Sequence, residues 1–175
     1  MSNLIVLFNN SVLFWSLLSC LLAQIFKIIF NFFSNREIKF GIMFETGGMP
    51  SSHSALISGA TSGIGLELGF DNPIFALAVA LSLIVMYDAS GIRRAAGLTA
   101  ERVNLLSLED LEVSGKEKLK ERLGHTRLEV LIGGLFGPAI ALPGIVLVGS
   151  PLHLLEFFGY SLRWAQIITI QFFQS

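Results

Sequence analysis

The amino-acid sequence predicts an all-α integral membrane bundle of four to five transmembrane helices with an amphipathic insertion at the membrane surface. Three observations carry that prediction. Of 175 residues, 53% are hydrophobic and only 14% are charged, against roughly 25% charged in a soluble domain. The mean hydropathy is +0.68, and the apolar residues gather into runs comparable to the ~20 residues that cross a hydrocarbon core. Lys and Arg crowd into two stretches between those runs, although the formal net charge is only -1. Residues 1–175 are expected to form a single membrane domain. No basic footprint for nucleic acid is present, and the single Cys20 excludes an internal disulfide.

The first apolar run covers residues 4–33, interrupted by Asn9, Asn10, Gln24 and Lys27. Lys27 lies near its end, where a lysine either snorkels to the interface or serves a site. Leu17 to Cys20 faintly resembles a lipoprotein cleavage site, but no basic residue precedes it, so an uncleaved anchor is expected. A polar link with Arg36, Glu37 and Lys39 leads to GGMPSSHSA, Gly47 to Ala55. There Pro50 is pre-set for a first helical turn, Ser51 or Ser52 can cap it, and the N–H groups of that turn would face whatever His53 faces. This is how a helix start holds an anion, although a well-capped helix with a polar first turn reads the same way. The second span runs from Pro50 to about Phe70, with Gly59, Gly63 and Gly65 allowing close helix approach.

Asp71, Asn72 and Pro73 make a turn, and residues 74–88 form a third span ending at Tyr87 and Asp88. From Ser90 to Thr126 the character changes, with seven basic residues before His125. Leu105, Leu108, Leu111, Leu119 and Leu123 recur at roughly helical spacing there, which predicts an amphipathic helical excursion along the membrane surface. The fourth span covers about Leu128 to Val148 and carries Gly133, Gly134, Gly137, Pro138, Pro143 and Gly144. Residues 152–173 are either a fifth span or an interfacial helix.

If the first four spans alternate in direction, one membrane face collects Lys27, Arg36, His53, Asp88, Arg93, Arg94, His125 and Glu129. The positive-inside rule makes that face cytoplasmic, with the N-terminus across the membrane. Within GHTRLEVLIGG, Gly124 to Gly134, His125 and Glu129 stand four positions apart. On a helix they share one side, where the carboxylate fixes the imidazole tautomer and leaves the other ring nitrogen as nucleophile or base. A solvated His and Glu at a helix start is the plainer alternative. Zinc lacks an evident third close-spaced ligand, so no metal is expected, and the surrounding cations favour an anionic substrate.

The strings GGMPSSHSA, VMYDASGIRRAAG and GHTRLEVLIGG closely resemble the divergent branch of the type 2 phosphatidic acid phosphatase and vanadium haloperoxidase superfamily, over about residues 20–149. The resemblance implies His53 as general acid, His125 as nucleophile and Glu129 as its orienting carboxylate, with glutamate where aspartate is usual. It implies Lys27, Arg36, Ser51 and Ser52 as phosphate contacts. The clamp motifs depart from the family pattern. Eight residues separate Lys27 from Arg36 where six are usual, and Leu119 stands where an arginine is usual, six before the nucleophile. Arg93 and Arg94, beside Asp88, are the expected substitutes, because guanidinium forks onto phosphate oxygens. An Asp88 to Arg ion pair at the boundary is the alternative reading of these residues.

In function, the resemblance implies a membrane phosphatase-like hydrolase acting on a lipid or polyprenyl phosphate monoester or pyrophosphate through a phosphohistidine. No cofactor is required, and vanadate is a possible phosphate mimic. The alternative is an inactive protein of the same fold that binds a lipid, an anion or a protein partner. Haloperoxidase activity ranks third, since those relatives are mostly soluble.

Overall fold

The computed structural model describes residues 9–36, 41, 47–106, 118–155 and 159. Every regular element among them is helical. The long helices are α1 (Ser11–Asn35), α2 (Ser52–Leu68), α3 (Pro73–Ser90), α4 (Ile92–Leu106) and α5 (Arg127–Leu147). Their starts are written locally. The Asn10 side chain accepts the Leu13 N–H at 2.8 Å, and Asn72 accepts the Ile74 N–H at 2.9 Å with Pro73 opening the helix. Pro50, expected inside the first turn of α2, instead precedes it, because Ser51 is the N-cap.

Three stretches are long and apolar enough to cross a membrane: Ser11–Phe33, Pro73–Leu106 and Arg127–Leu147. The expected second span, α2, has 17 residues, a length of about 26 Å at the helical rise, against a hydrocarbon core of about 30 Å. Most of the expected fifth segment, 152–173, lies outside the described residues, as do residues 4–8 of the first run. The surface excursion is only partly helical. Leu105 is on α4, Leu108 and Leu111 lie outside the described residues, and Leu119 and Leu123 fall in the non-helical segment 118–126. That segment hydrogen-bonds outward, to α3 and α4, as well as to its own neighbours: the His125 N–H donates to the Ala89 carbonyl at 2.9 Å.

Helix α2 is central and packs against α1, α3 and α5. Its buried residues are all small: Ser52, Ser54, Ala55, Ser58, Gly59, Thr61, Gly63 and Gly65. Large apolar side chains such as Leu17, Leu21, Leu77, Leu81, Leu131 and Leu135 are exposed. In lipid that inversion is the stable arrangement, since tails are as apolar as leucine and helices gain by close backbone approach. Hydroxyls at the seams are satisfied inside the bundle, as in Thr61 with Ser82 at 2.7 Å and Ser19 with the Trp15 carbonyl at 2.7 Å. The Trp15 indole N–H donates to the Gly149 carbonyl at 2.8 Å, tying α1 to the end of α5.

Gly137 marks the tightest α5 to α2 approach, where an added Cβ would collide with the Ala55 carbonyl and the Ser58 hydroxyl. Gly137→Val is therefore expected to destabilise the bundle by about 2–3 kcal/mol, the scale of overpacking. Thermal unfolding in detergent checks this, with Leu135→Val, on the exposed face of the same helix, as the control expected to shift little.

Candidate active site

The site is assembled where two sequence-distant motifs dock. The Ser51 N–H donates to the Glu129 backbone carbonyl at 3.1 Å, and Gly133 lets α5 close onto the Ser51 backbone. The start of α2 and the start of α5 are thereby fixed side by side. A cavity of about 550 Å³ opens beside them, lined at one end of the bundle by residues from α1, the loop before α2, α4 and the segment leading into α5.

His125 is 4% exposed and lies two residues before α5. Its Nδ1 is 3.0 Å from Glu129 Oε2, the same oxygen that accepts the Thr126 N–H at 3.2 Å. Thr126 Oγ1 accepts the Glu129 N–H in return at 3.2 Å, closing a capping box. A carboxylate only accepts, so the network assigns the ring proton to Nδ1 and the lone pair to Nε2. Nε2 is buried with no hydrogen-bond partner among the described residues. Buried polar atoms are nearly always paired, so this nitrogen, on a residue that lines the cavity, stands out.

Three cations and one carboxylate line the cavity: Lys27, Arg94, Arg122 and Glu129. Lys27 is 2% exposed, so its ammonium turns inward rather than snorkelling. Asn31, one turn after Lys27 on the same face of α1, lines the cavity with it. The two adjacent arginines divide. Arg94 reaches the cavity, whereas Arg93 lines a small hollow of about 20 Å³ with His53, His125, Val85 and Ala89. Arg93 Nε is held by Asp88 Oδ2 at 2.5 Å. His53 is exposed on the first turn of α2 and meets His125 in that hollow.

Other expected contacts are placed elsewhere. Asp88 lines neither space and pairs with Arg93, as in the alternative ion-pair reading of these residues. Ser51 and Ser52 are 0% and 1% exposed and line neither space; the Ser51 hydroxyl caps α2, accepting from the Ser54 N–H and hydroxyl. Arg36 closes the C-terminus of α1 with φ 58°, its N–H donating to the Phe32 carbonyl at 2.9 Å, and does not line the cavity. The sequence reasoning missed Arg122 and Asn31. For Asn31 the signal was its helical spacing from Lys27. For Arg122 no local pattern marked it, because it stands at a turn closed by the Leu123 N–H on the Glu121 carbonyl.

Among the described residues, no three His, Cys, Asp or Glu side chains gather in a metal-holding group.

A family model described as the Divergent PAP2 family matches residues 8–140. The uncharacterized membrane protein YuiD of Bacillus subtilis (strain 168) is 36% identical over 149 residues, covering 78% of this chain and 94% of that protein. No solved structure matches. With its apolar helices and a membrane-protein relative of nearly the same extent, this integral membrane protein belongs to the Divergent PAP2 family, a divergent branch of the PAP2 superfamily.

Proposed function

We propose that this protein hydrolyses a lipid or polyprenyl phosphate monoester or pyrophosphate through a phosphohistidine. The observation that carries the reading is His125: Nδ1 is held by a carboxylate, and Nε2 is buried and unpartnered beside a cavity lined by Lys27, Arg94 and Arg122. In this reading Nε2 attacks phosphorus and forms an N–P bond while the bond to the leaving oxygen breaks. His53 donates a proton to that oxygen. The cations neutralise the equatorial oxygens in a site already organised for them. Water then attacks the phosphohistidine, with His53 taking its proton, and phosphate departs as the Nε2 lone pair is restored. Arg93, tied to Asp88, would keep His53 and the leaving oxygen in a cationic setting. Phosphate heads of membrane lipids sit at the depth of such a boundary site. The concentration of Lys and Arg on this face supports a cytoplasmic orientation.

Phosphorylated His125 carries positive charge on its ring, which the Glu129 carboxylate stabilises. Glu129→Gln keeps an acceptor for Nδ1–H and for Thr126 but removes the charge. Turnover is expected to fall by about 30- to 100-fold with little change in melting temperature, since charge-assisted hydrogen bonds are about twice as strong as neutral ones. The defining experiment is phosphate release by the detergent-solubilised protein over a panel of lipid and polyprenyl phosphates. No release from any of them by folded protein would sink the hydrolase reading and favour a lipid- or anion-binding role.

A further inference from the structure

Arg122 and His125 both lie on a segment, 118–126, that contains no helix. Its placement is decided by α4. Asn104 is 3% exposed, and its carboxamide pairs with Leu119 in both directions: Nδ2 donates to the Leu119 carbonyl at 2.8 Å, and Oδ1 accepts the Leu119 N–H at 2.9 Å. The same Nδ2 donates to Glu121 Oε1 at 2.8 Å. One side chain thus does for Leu119 what a neighbouring strand does for a residue in a sheet.

The rest of α4 continues this contact. Gly97, on the same buried face as Asn104, lets the chain lie directly on the helix, since a Cβ there would meet the Glu121 and Leu123 carbonyls. Gly124, with φ +77°, folds against the backbone of Arg93 and Arg94. The backbone at 119, 121 and 123 is therefore laid along α4, and Arg122 falls between these contacts and lines the cavity. The Leu123 N–H donates to the Glu121 carbonyl at 2.9 Å, a three-residue turn with Arg122 at its tip. A shift of one residue along α4 would bring Glu121 or Leu123 to the place of Arg122 and carry His125 off the Ala89 carbonyl.

We propose that Asn104 is the positioning residue of the site: its paired hydrogen bonds set the register of 119–125 on α4, so that Arg122 and His125 meet in one cavity. The significance of that meeting rests on the phosphate reading of the cavity, whereas the register itself does not. These side-chain bonds of Asn104 reach Leu119 and Glu121 rather than the α4 backbone. Its pairing with Glu121 supplies a reciprocal test, because exchanging which partner carries the amide and which the carboxylate restores one of the bonds.

The experiment uses the full chain in detergent, comparing wild type, Asn104→Ala, Asn104→Asp and the double variant Asn104→Asp with Glu121→Gln. Two quantities are read: hydrogen–deuterium exchange along the chain and the affinity for orthovanadate as a phosphate mimic. In Asn104→Ala, amides of 119–126 are expected to exchange about tenfold faster, the consequence of losing paired buried hydrogen bonds, with α2 and α5 unchanged. Vanadate affinity is expected to drop about tenfold in Asn104→Ala and in Asn104→Asp. In the double variant it recovers part of the loss, because the bond to residue 121 returns while the Leu119 carbonyl stays without its donor. Unchanged exchange at 119–126, faster exchange with undiminished vanadate binding, or no recovery in the double variant would each overturn the proposal. If wild type neither binds vanadate nor releases phosphate, the functional reading fails by itself, and the exchange pattern alone decides whether Asn104 sets the register.

Discussion

Replacing His125 by alanine is expected to lower kcat for phosphate release by roughly 10,000-fold or more, the scale on which enzymes respond to loss of their nucleophile. No other described side chain is placed to take over. Glu129 is engaged by Thr126 and the α5 start, and His53 lines the small hollow and not the larger cavity. The alanine should not unfold the chain, because the His125 backbone N–H to the Ala89 carbonyl and the Thr126 to Glu129 capping box do not use the imidazole. Acid-labile phosphate trapped on the wild type by rapid quench, and absent from His125→Ala, would identify the intermediate. Retained turnover in the alanine variant would remove His125 from the chemistry.

His53→Ala is expected to produce a loss that depends on the leaving group. For a lipid phosphate, whose departing alkoxide needs a proton, turnover should drop by about 100- to 10,000-fold, the range of general acid catalysis. For p-nitrophenyl phosphate, whose phenolate leaves without one, the first step should be nearly unaffected and the loss confined to attack by water. The measurement is kcat for both substrates in wild type and variant. Equal losses on the two would mean that His53 holds the substrate or the fold and transfers no proton.

Much of this site was legible in the chain because its parts are local. His125 and Glu129 are four residues apart; His125 lies before the N-cap and not on the helix as expected, and the Thr126–Glu129 capping box turns the carboxylate back to it. The membrane character and the three long apolar stretches follow from hydropathy, and the gathering of Lys27, Arg94 and His125 around one cavity follows the expected alternation of direction, neither of which needs knowledge of packing. Glycines in α2 and α5 announced a close approach, and the structure supplies the partners: Gly137 against Ala55, Gly133 against Ser51.

Spacing could not decide which cations turn inward. Arg36 and Arg122 look alike in sequence, yet Arg36 caps the end of α1 and Arg122 lines the cavity, because the latter sits at a turn in a non-helical segment that lies against α4. The leucine spacing through 105–123 suggested one helix. Leu119 instead gives its backbone to Asn104, an interaction between residues 15 apart that no local periodicity records. Ser51 and Ser52, polar and next to His53, looked like anion contacts; docking of α5 on α2 buries them as part of the seam. Composition and patterns within a few residues were enough for the membrane setting, the long apolar helices and the histidine–glutamate pair. Which cations line the cavity was settled by packing, because a non-helical segment lies on α4 through long-range hydrogen bonds and close backbone contact, not through any repeating pattern in the chain.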